Sequence, residues 1–222
     1  MSISVRNFLI ISTLLASAVA CSAAGKPSAS FPSPAVDEQA AKRGQETAVI
    51  AGGCFWGIQA VFQHVKGVTD ATSGYSGGDV KSPAYELVST GNTGHAESVK
   101  ITYDPSQITY GQLLRLFFSV AHDPTELNRQ GPDEGTQYRS AIFYGNDEQK
   151  RIAEAYIAQL NSAKIFRRAI VTQVVPLKAF YPAEAYHQNY ATLHPDSPYI
   201  IYNDAPKVAH LRQQYPELYT GK

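Results

Sequence analysis

The sequence contains few residues that could crosslink the chain or bind a metal ion. Among its 222 residues there are two cysteines, Cys21 and Cys54, one methionine and one tryptophan. Two cysteines allow one internal disulfide at most, which excludes the disulfide-rich class of secreted domains. None of the six histidines forms a close pair at the spacing of a zinc site, so the sequence carries no metal signature of that kind.

An excess of charge of either sign is also absent. Equal numbers of basic and acidic residues, 19 of each, give a formal net charge of zero. This balance provides no electrostatic reason to expect a nucleic-acid partner. With 44% hydrophobic and 17% charged residues, the composition suits a folded protein, and the length favours one domain with a full core.

The N-terminal apolar run is too short to span a bilayer well. FLIISTLLASAVA, residues 8–20, follows Arg6 and ends in small residues before Cys21, whereas a transmembrane helix needs about 20 residues. This layout is typical of a signal peptide. We predict a signal peptide over residues 1–20, with Cys21 as the first mature residue and as the lipidated cysteine of a lipoprotein. Simple cleavage and an uncleaved anchor stay open as alternatives.

Either form of processing predicts an exported protein, in the periplasm or anchored to a membrane as a bacterial lipoprotein. Residues 21–45 are rich in Ser, Ala and Pro, which predicts a flexible tether. An N-terminal arm packed on the domain is the alternative. The folded domain is predicted over residues 46–222, and Cys54 has no partner there for an internal disulfide.

Strand and helix patterns mix without strict alternation through this domain. Apolar or alternating runs predict strands at 47–51, 99–103, 137–144 and 168–177. Helical spacing predicts helices from Trp56, over 109–121, from a cap at Asn146, over 182–193 and after Asp204. The predicted fold class is therefore α+β, with a mixed or antiparallel sheet packed with helices in a single domain.

Cys54 is placed by GGCFWG, residues 52–57, where the first predicted strand turns into a helix. The unpaired N–H groups of a first helical turn and the close approach that glycine allows both favour the reactive thiolate. Phe55 and Trp56 offer an apolar wall that suits a small group such as an S-methyl. A small buried apolar cysteine beside two core aromatics is the alternative.

Two glycine-rich loops carry further candidates. GNTGHAES, residues 91–98, delivers His95 and Glu97 just before a strand, and GPDEGTQYRS carries Asp133 and Tyr138 before another. A partly buried Glu97 would have a raised pKa and could act as a general acid. A surface carboxylate and plain turns are the alternatives.

These motifs together resemble the A-type peptide-methionine sulfoxide reductases. GGCFWG, GYSGG, AYELVSTGNTGHAESVKITYDP, HDPT and GTQYRSAIFY occur in that family's order, and the match runs from about residue 47 to about residue 190. The resemblance implies an α+β reductase domain over residues 46–222. It also implies reduction of the S epimer of methionine sulfoxide, free or in proteins, since each epimer has its own reductase.

The resemblance implies a role for each matching residue. Cys54 is similar to the nucleophile that attacks the sulfoxide sulfur and becomes a sulfenic acid. Glu97 is similar to the acid that protonates the sulfoxide oxygen, and Tyr85 and Tyr138 are similar to the phenols that hydrogen-bond it.

The substrate-binding residues follow in the same way. Phe55 and Trp56 are similar to the pocket for the S-methyl group, and Asp133 is similar to a carboxylate that orients the substrate. The family needs no bound cofactor or metal. Its partners are oxidised proteins, free methionine sulfoxide and a thiol reductant.

The chain departs from many members in its cysteines. Ser89 occupies the turn where some carry a resolving cysteine, and no cysteine follows Cys54. The chain therefore resembles the single-cysteine members, in which a thioredoxin or another external thiol reduces the sulfenic acid. Gln59 stands where a glutamate is common, and we interpret it as peripheral.

Two functions of other classes stay open on the residues alone. A cysteine hydrolase or acyltransferase would pair Cys54 with a histidine base such as His95. An exported lipoprotein that binds peptides without catalysis would leave Cys54 inert.

Overall fold

The computed structural model describes residue 1, residues 31–38 and residues 44–221. Cys21 and residues 2–20 of the predicted signal peptide lie outside the described residues, so their assignments stay predictions. Among the residues that are described, no helix combines the length and the apolar character needed to cross a membrane.

A mixed sheet forms the centre of the fold. Its strands and a separate two-stranded ribbon are β1 (Glu46–Ala51), β2 (Val68–Ser76), β3 (Ala96–Tyr103), β4 (Arg129–Gln130), β5 (Asp133–Glu134), β6 (Ala141–Tyr144), β7 (Gln173–Pro176) and β8 (Phe180–Pro182). The sheet order is β7-β6-β1-β3-β2-β8, and β4 pairs with β5. The β6–β7 pair is parallel and the other pairs of the sheet are antiparallel. The predicted α+β class is confirmed.

Helices cover this sheet and build the core with it. They are α1 (Phe55–Gln63), α2 (Tyr85–Val88), α3 (Tyr110–Leu116), α4 (Asp147–Ser162), α5 (Tyr190–Leu193) and α6 (Ala205–Gln214). Two π-helical turns extend them, Phe117–Ala121 after α3 and Ile200–Asp204 before α6. Apolar residues of α1, α3 and α4 share one buried cluster with the strands, including Ile58, Leu113 and Ile152, so α1 is fixed firmly on the sheet.

The helix predicted over 182–193 is wrong. β8 ends at Pro182, a 3-10 turn spans Ala185–His187, and α5 begins only at Tyr190. Asn189 lies between them in the left-handed region, with φ 57°, and its N–H donates a hydrogen bond to Gln59 Oε1 at 2.8 Å. This tertiary contact replaces a helical one and interrupts the segment.

Residues 31–38 differ from the predicted tether over 21–45. Asp37 and Glu38 accept hydrogen bonds from backbone N–H groups of the first turn of α3, the shortest being 2.6 Å from Tyr110 to Glu38 Oε1. Carboxylates at the N-terminus of a helix satisfy its free N–H groups and its positive dipole end. Residues 31–38 are therefore an arm packed on the domain, as in the alternative that the sequence left open.

Candidate active site

Cys54 is held at the junction of β1 and α1. It is the N-cap residue of α1, after a turn in which Gly53 has φ +97°. A side chain at Gly53 would also clash with Gln130, whose Cγ is 2.5 Å from the position of a Cβ. The turn therefore requires glycine. This geometry confirms the predicted strand–turn–helix placement of Cys54. The thiol lies at the N-terminus of α1, which is the positive end of the helix dipole.

The cysteine opens onto a small pocket with a volume of about 190 Å³. The pocket is lined by Cys54, Phe55, Trp56, Tyr85, Glu97, Asp133, Tyr138 and Tyr199. All seven residues predicted to be catalytic or substrate-binding thus lie together, and Tyr199 joins them. Drug-sized ligands occupy pockets of about 300–1,000 Å³, so this pocket suits the end of a single side chain.

Glu97 lies in β3, with 3% of its surface exposed. Its Oε2 accepts a hydrogen bond of 3.0 Å from the Phe55 N–H at the start of α1. The pKa of Glu97 is raised to about 8, mainly by burial; the hydrogen bond from the Phe55 N–H lowers it, and the nearby carboxylates of Asp133 and Asp204 add to the rise. At neutral pH Glu97 is therefore an uncharged acid that can donate a proton.

The Cys54 thiol is only 7% exposed. Burial raises its pKa well above the usual range, and the carboxylates of Glu97 and Asp204 add to this. The Trp56 backbone N–H bonds to the sulfur and, with Lys207, acts in the opposite direction. Cys54 is therefore mainly a thiol in the free site at neutral pH, and not the expected thiolate, because desolvation outweighs the effect of the helix end.

Tyr85 and Tyr138 reach the pocket from two short turns. Tyr85 begins α2, and its N–H donates a hydrogen bond to Glu184 Oε1 at 2.8 Å. The other oxygen of Glu184 accepts from the Tyr75 hydroxyl in β2 at 2.9 Å, so Glu184 fixes α2 against the sheet. Burial raises the pKa of both Tyr85 and Tyr138, which keeps these phenols protonated as hydrogen-bond donors.

Aromatic rings hold Trp56 in one orientation. The Tyr190 ring stacks on it, with centroids 3.8 Å apart and planes 10° apart, and the Tyr199 ring meets it edge-on at 5.8 Å. The Trp56 indole N–H donates to His187 Nδ1 at 3.3 Å. Phe55 packs on the same histidine at 5.1 Å, so the apolar wall of the pocket is preorganised.

Sequence reasoning missed Tyr199 and Tyr190. The Tyr199 hydroxyl donates a hydrogen bond to Asp133 Oδ2, 66 residues away in sequence. Tyr199 sits in a tail without a recognisable motif, so only the fold could reveal this pairing. His187 is not among the residues that line the pocket; it packs against Phe55 and accepts the hydrogen bond from the Trp56 indole. Gln59 is 2% exposed and bonds Ala71 O and Gln188 Oε1, so it is buried and structural rather than peripheral.

Two other candidates lie away from the pocket. The His95 ring bonds the Val80 carbonyl at 2.7 Å through Nε2 and the Gly78 N–H at 3.2 Å through Nδ1. Both ring nitrogens therefore have backbone partners, and His95 is not placed as a base for Cys54. Ser89 is exposed, with its hydroxyl bonded to Glu86 O. Over the described residues no cluster of three or more His, Cys, Asp or Glu side chains could hold a metal ion.

A larger cavity of about 640 Å³ lies between α1, α5 and α6. Apolar side chains such as Ala60, Ile200 and Val208 line much of it. It contains neither a thiol nor any residue of the predicted site. Chemistry rather than size therefore assigns the active site to the pocket at Cys54.

Comparisons with known proteins agree with this assignment. The family model described as peptide methionine sulfoxide reductase matches residues 46–219. A peptide methionine sulfoxide reductase MsrA 2 of Mesorhizobium japonicum is 63% identical over 187 residues, which cover 84% of this chain and 95% of the relative. The MsrA of Deinococcus radiodurans is 53% identical over 171 residues, covering 77% and 82%.

Two solved structures share the fold. Methionine sulfoxide reductase A of Corynebacterium diphtheriae is 35% identical with a TM-score of 0.61, over 75% of this chain and 82% of that one. Reduced Mxr1 of Saccharomyces cerevisiae is 33% identical with a TM-score of 0.62, over 76% and 94%. The chain belongs to the peptide methionine sulfoxide reductase A family and is an oxidoreductase of that family.

Proposed function

We propose that the enzyme reduces the S epimer of methionine sulfoxide, free and in proteins, with Cys54 as the nucleophile and Glu97 as the acid. The observation that carries this proposal is the buried carboxyl of Glu97 in the same small pocket as the Cys54 thiol, where burial raises its pKa to about 8. A sulfoxide oxygen must gain a proton as its sulfur is attacked. A buried neutral acid supplies that proton without water.

The proton balance of the reaction closes within the pocket. The Cys54 sulfur attacks the sulfoxide sulfur while Glu97 gives its proton to the oxygen, and the thiol proton returns to Glu97. An S–S bond forms as the S=O bond becomes S–OH. The hydroxyl then passes to the Cys54 sulfur, the S–S bond breaks, and methionine leaves. The sulfoxide is reduced to methionine by two electrons, and Cys54, which supplies them, is oxidised to a sulfenic acid.

The remaining residues bind and orient the substrate. Tyr85 and Tyr138 donate hydrogen bonds to the sulfoxide oxygen, which strengthens as an acceptor when charge develops on it. Phe55 and the fixed Trp56 enclose the S-methyl group. Asp133, held by Tyr199, orients the rest of the substrate side chain.

An external thiol completes the cycle. Cys54 is the free cysteine of the described residues, and Cys21 lies at or before the predicted tether. A thiol of thioredoxin or a similar reductant attacks the sulfenic acid, which forms a mixed disulfide and releases water. A second thiol of the reductant then frees Cys54. A small pocket with one cysteine is suited to this route.

The same activity in an exported enzyme would repair oxidised proteins outside the cytoplasm. The support for export is the apolar run of residues 8–20 followed by Cys21. On this proposal Cys21 carries lipid, and the chain between it and the packed arm spaces the domain from the membrane. Palmitate labelling of the wild-type protein and of Cys21→Ser in a bacterial host tests the anchor; labelled Cys21→Ser would refute it.

A single turnover without reductant tests the reaction. Full-length protein carrying Cys21→Ser is mixed with each pure epimer of methionine sulfoxide, and released methionine and dimedone-trapped Cys54 are quantified. We expect about one methionine per protein from the S epimer and one sulfenic acid, following the balance above. Glu97→Gln should slow the turnover by on the order of 10²–10⁴. The exposed Glu154→Gln serves as the matched control.

Release of methionine from neither epimer, with Cys54 still a free thiol, would rule out the proposed reaction. Equal release from both epimers would refute the stereochemical assignment.

A further inference from the structure

A largely buried ion pair lies beneath the first turn of α1. Asp204, the last residue of a π-helical turn, has no exposed surface, and its Oδ1 is 3.0 Å from Lys207 Nζ. The Lys207 side chain is 17% exposed. Asp204 Oδ2 is buried and has no hydrogen-bond partner among the described residues. The negative charge of the buried Asp204 carboxylate is therefore offset by the ammonium group of Lys207.

This pair packs directly against the helix that carries Cys54. A Cβ at Gly57 would overlap Asp204 Oδ1 and lie 2.7 Å from Lys207 Nζ. The ion pair thus fills the space in which a side chain of residue 57 would lie. Gly57 follows Cys54 by three residues, in the first turn of α1. Both charges also act electrostatically on the Cys54 thiol.

Asp204 is the N-cap residue of α6, where a carboxylate is favourable, but helix stability does not explain Lys207 in the first turn of that helix. A cation at the N-terminus of a helix opposes the helix dipole. Buried ion pairs are often no more stabilising than apolar side chains of the same volume. A pair kept at this position is better explained by its effect on a neighbouring charge.

The groups around Cys54 are mostly acidic. The carboxyls and phenols that line the pocket come from several elements: Glu97 of β3, Asp133 of β5, Tyr85 of α2, Tyr138 and Tyr199. Asp204 does not line the pocket, but its charge also acts on Cys54. His122 lies nearby, and burial lowers its pKa to about 4, so it is neutral. Lys207 lowers the pKa of Cys54 and of Asp133, whereas Asp204 raises that of Cys54. Lys207 is therefore the cation that opposes these acids.

We propose that Lys207 and Asp204 are positioning residues that set the fraction of Cys54 present as thiolate. Lys207 stabilises the anionic sulfur across the first turn of α1. Asp204 holds Lys207 in place and limits its effect by its own negative charge. The two partners therefore act on Cys54 with opposite sign, which a purely structural pair would not do. This inference rests on the proposed role of Cys54 as nucleophile.

Alkylation of Cys54 by iodoacetamide tests the inference, because only the thiolate reacts. Full-length Cys21→Ser protein, with Cys54 as its single thiol, is alkylated between pH 6.5 and 9. Lys207→Met should slow the reaction at pH 7.5 by about tenfold, which is one pKa unit. Asp204→Asn should accelerate it by about threefold, since it leaves the lysine charge unopposed. Lys207→Arg should restore the rate to within about twofold.

The controls separate charge from folding. Lys150→Met removes an exposed lysine of α4 and should leave the rate unchanged. Circular dichroism reports whether each variant is folded. If Lys207→Met unfolds, Asp204→Asn and the double variant Asp204→Asn/Lys207→Met decide instead, and the double variant should react more slowly than Asp204→Asn.

Slower alkylation in both Lys207→Met and Asp204→Asn, or no change in either, would overturn the inference. Alkylation is measured without sulfoxide, so its outcome is independent of the single-turnover test. Slower alkylation of Lys207→Met and faster alkylation of Asp204→Asn, in a protein that releases no methionine, would support this inference and refute the proposed reaction.

Discussion

Replacing Glu97 with glutamine should stabilise the fold at alkaline pH while it removes most of the activity. The Glu97 carboxyl is 3% exposed, and burial raises its pKa from 4.5 to about 8. Below pH 4.5 the folded and unfolded states both hold its proton. Between pH 4.5 and 8 the folded state keeps a proton that the unfolded state has released, so the free energy of unfolding falls as pH rises.

The magnitude follows from the two pKa values. A difference of about 3.5 pKa units corresponds to about 5 kcal/mol at 1.36 kcal/mol per unit. Glutamine does not titrate, and its amide oxygen can still accept the bond from the Phe55 N–H. The stability of Glu97→Gln relative to wild type should therefore rise by up to about 5 kcal/mol between pH 4.5 and 9.

Urea unfolding at half-unit pH steps measures this difference. Titrating groups that do not interact with Glu97 cancel because they are present in both proteins, whereas Cys54, Tyr85 and Tyr138, whose pKa values Glu97 raises, add to the difference at alkaline pH. Glu154→Gln, which removes an exposed carboxylate of α4 that lies 4.0 Å from Lys150, is the control and should change stability by about 1 kcal/mol or less. If the free energies of unfolding of Glu97→Gln and wild type differ by the same amount across this pH range, Glu97 is not a buried neutral acid. Its proposed role as proton donor would then also be refuted.

The remaining predictions concern pH and the arm. kcat for the S epimer should fall above pH 8 as Glu97 ionises, measured as methionine released with excess dithiol. Burial lowers the pKa of His122 from 6.5 to about 4, so the free energy of unfolding should fall by about 3 kcal/mol between pH 6.5 and 4, and His122→Gln should lose this part of the urea-unfolding pH profile. Asp37→Ala should cost about 1–2 kcal/mol of stability, because it removes the carboxylate that accepts hydrogen bonds from the Gly111 N–H and the Thr109 hydroxyl at the start of α3, with kcat unchanged; a lower kcat would contradict this.

Local signals in the sequence located most of the candidate site. Two glycines before an aromatic pair predicted the turn from β1 into α1, and the glycine-rich loops predicted where Glu97 and Asp133 enter. These features are local, because turn chemistry and the start of a helix depend on a few neighbouring residues. The strand β2 was missed because Val68–Ser76 contains little regular alternation.

The protonation of Cys54 could not be predicted from the same signals. Glycines and a helix end act over one turn, and they favour the thiolate. Burial beneath Tyr199 and beside Glu97 depends on elements 40 to 150 residues away in sequence, and it acts in the opposite direction. The sign of the net effect is thus a property of the tertiary structure.

The burial of Cys54, Glu97 and His122 determines both the chemistry of the protein and the pH range in which it is active and stable. It leaves Cys54 and Glu97 each holding a proton at neutral pH, so the site binds a neutral sulfoxide without first desolvating a charge. Attack then requires the thiol to ionise, and the Lys207 cation beneath α1 offsets part of that cost. Above pH 8 Glu97 loses the proton that the sulfoxide oxygen needs. Below pH 6.5 His122 binds a proton in the unfolded state but not in the folded state, where it is buried. Stability is therefore lost in both directions, through Glu97 as the pH rises from 4.5 to 8 and through His122 as it falls from 6.5 to 4. Moving Glu97 into solvent would abolish the loss at high pH only by removing the dry surroundings that make Glu97 an acid.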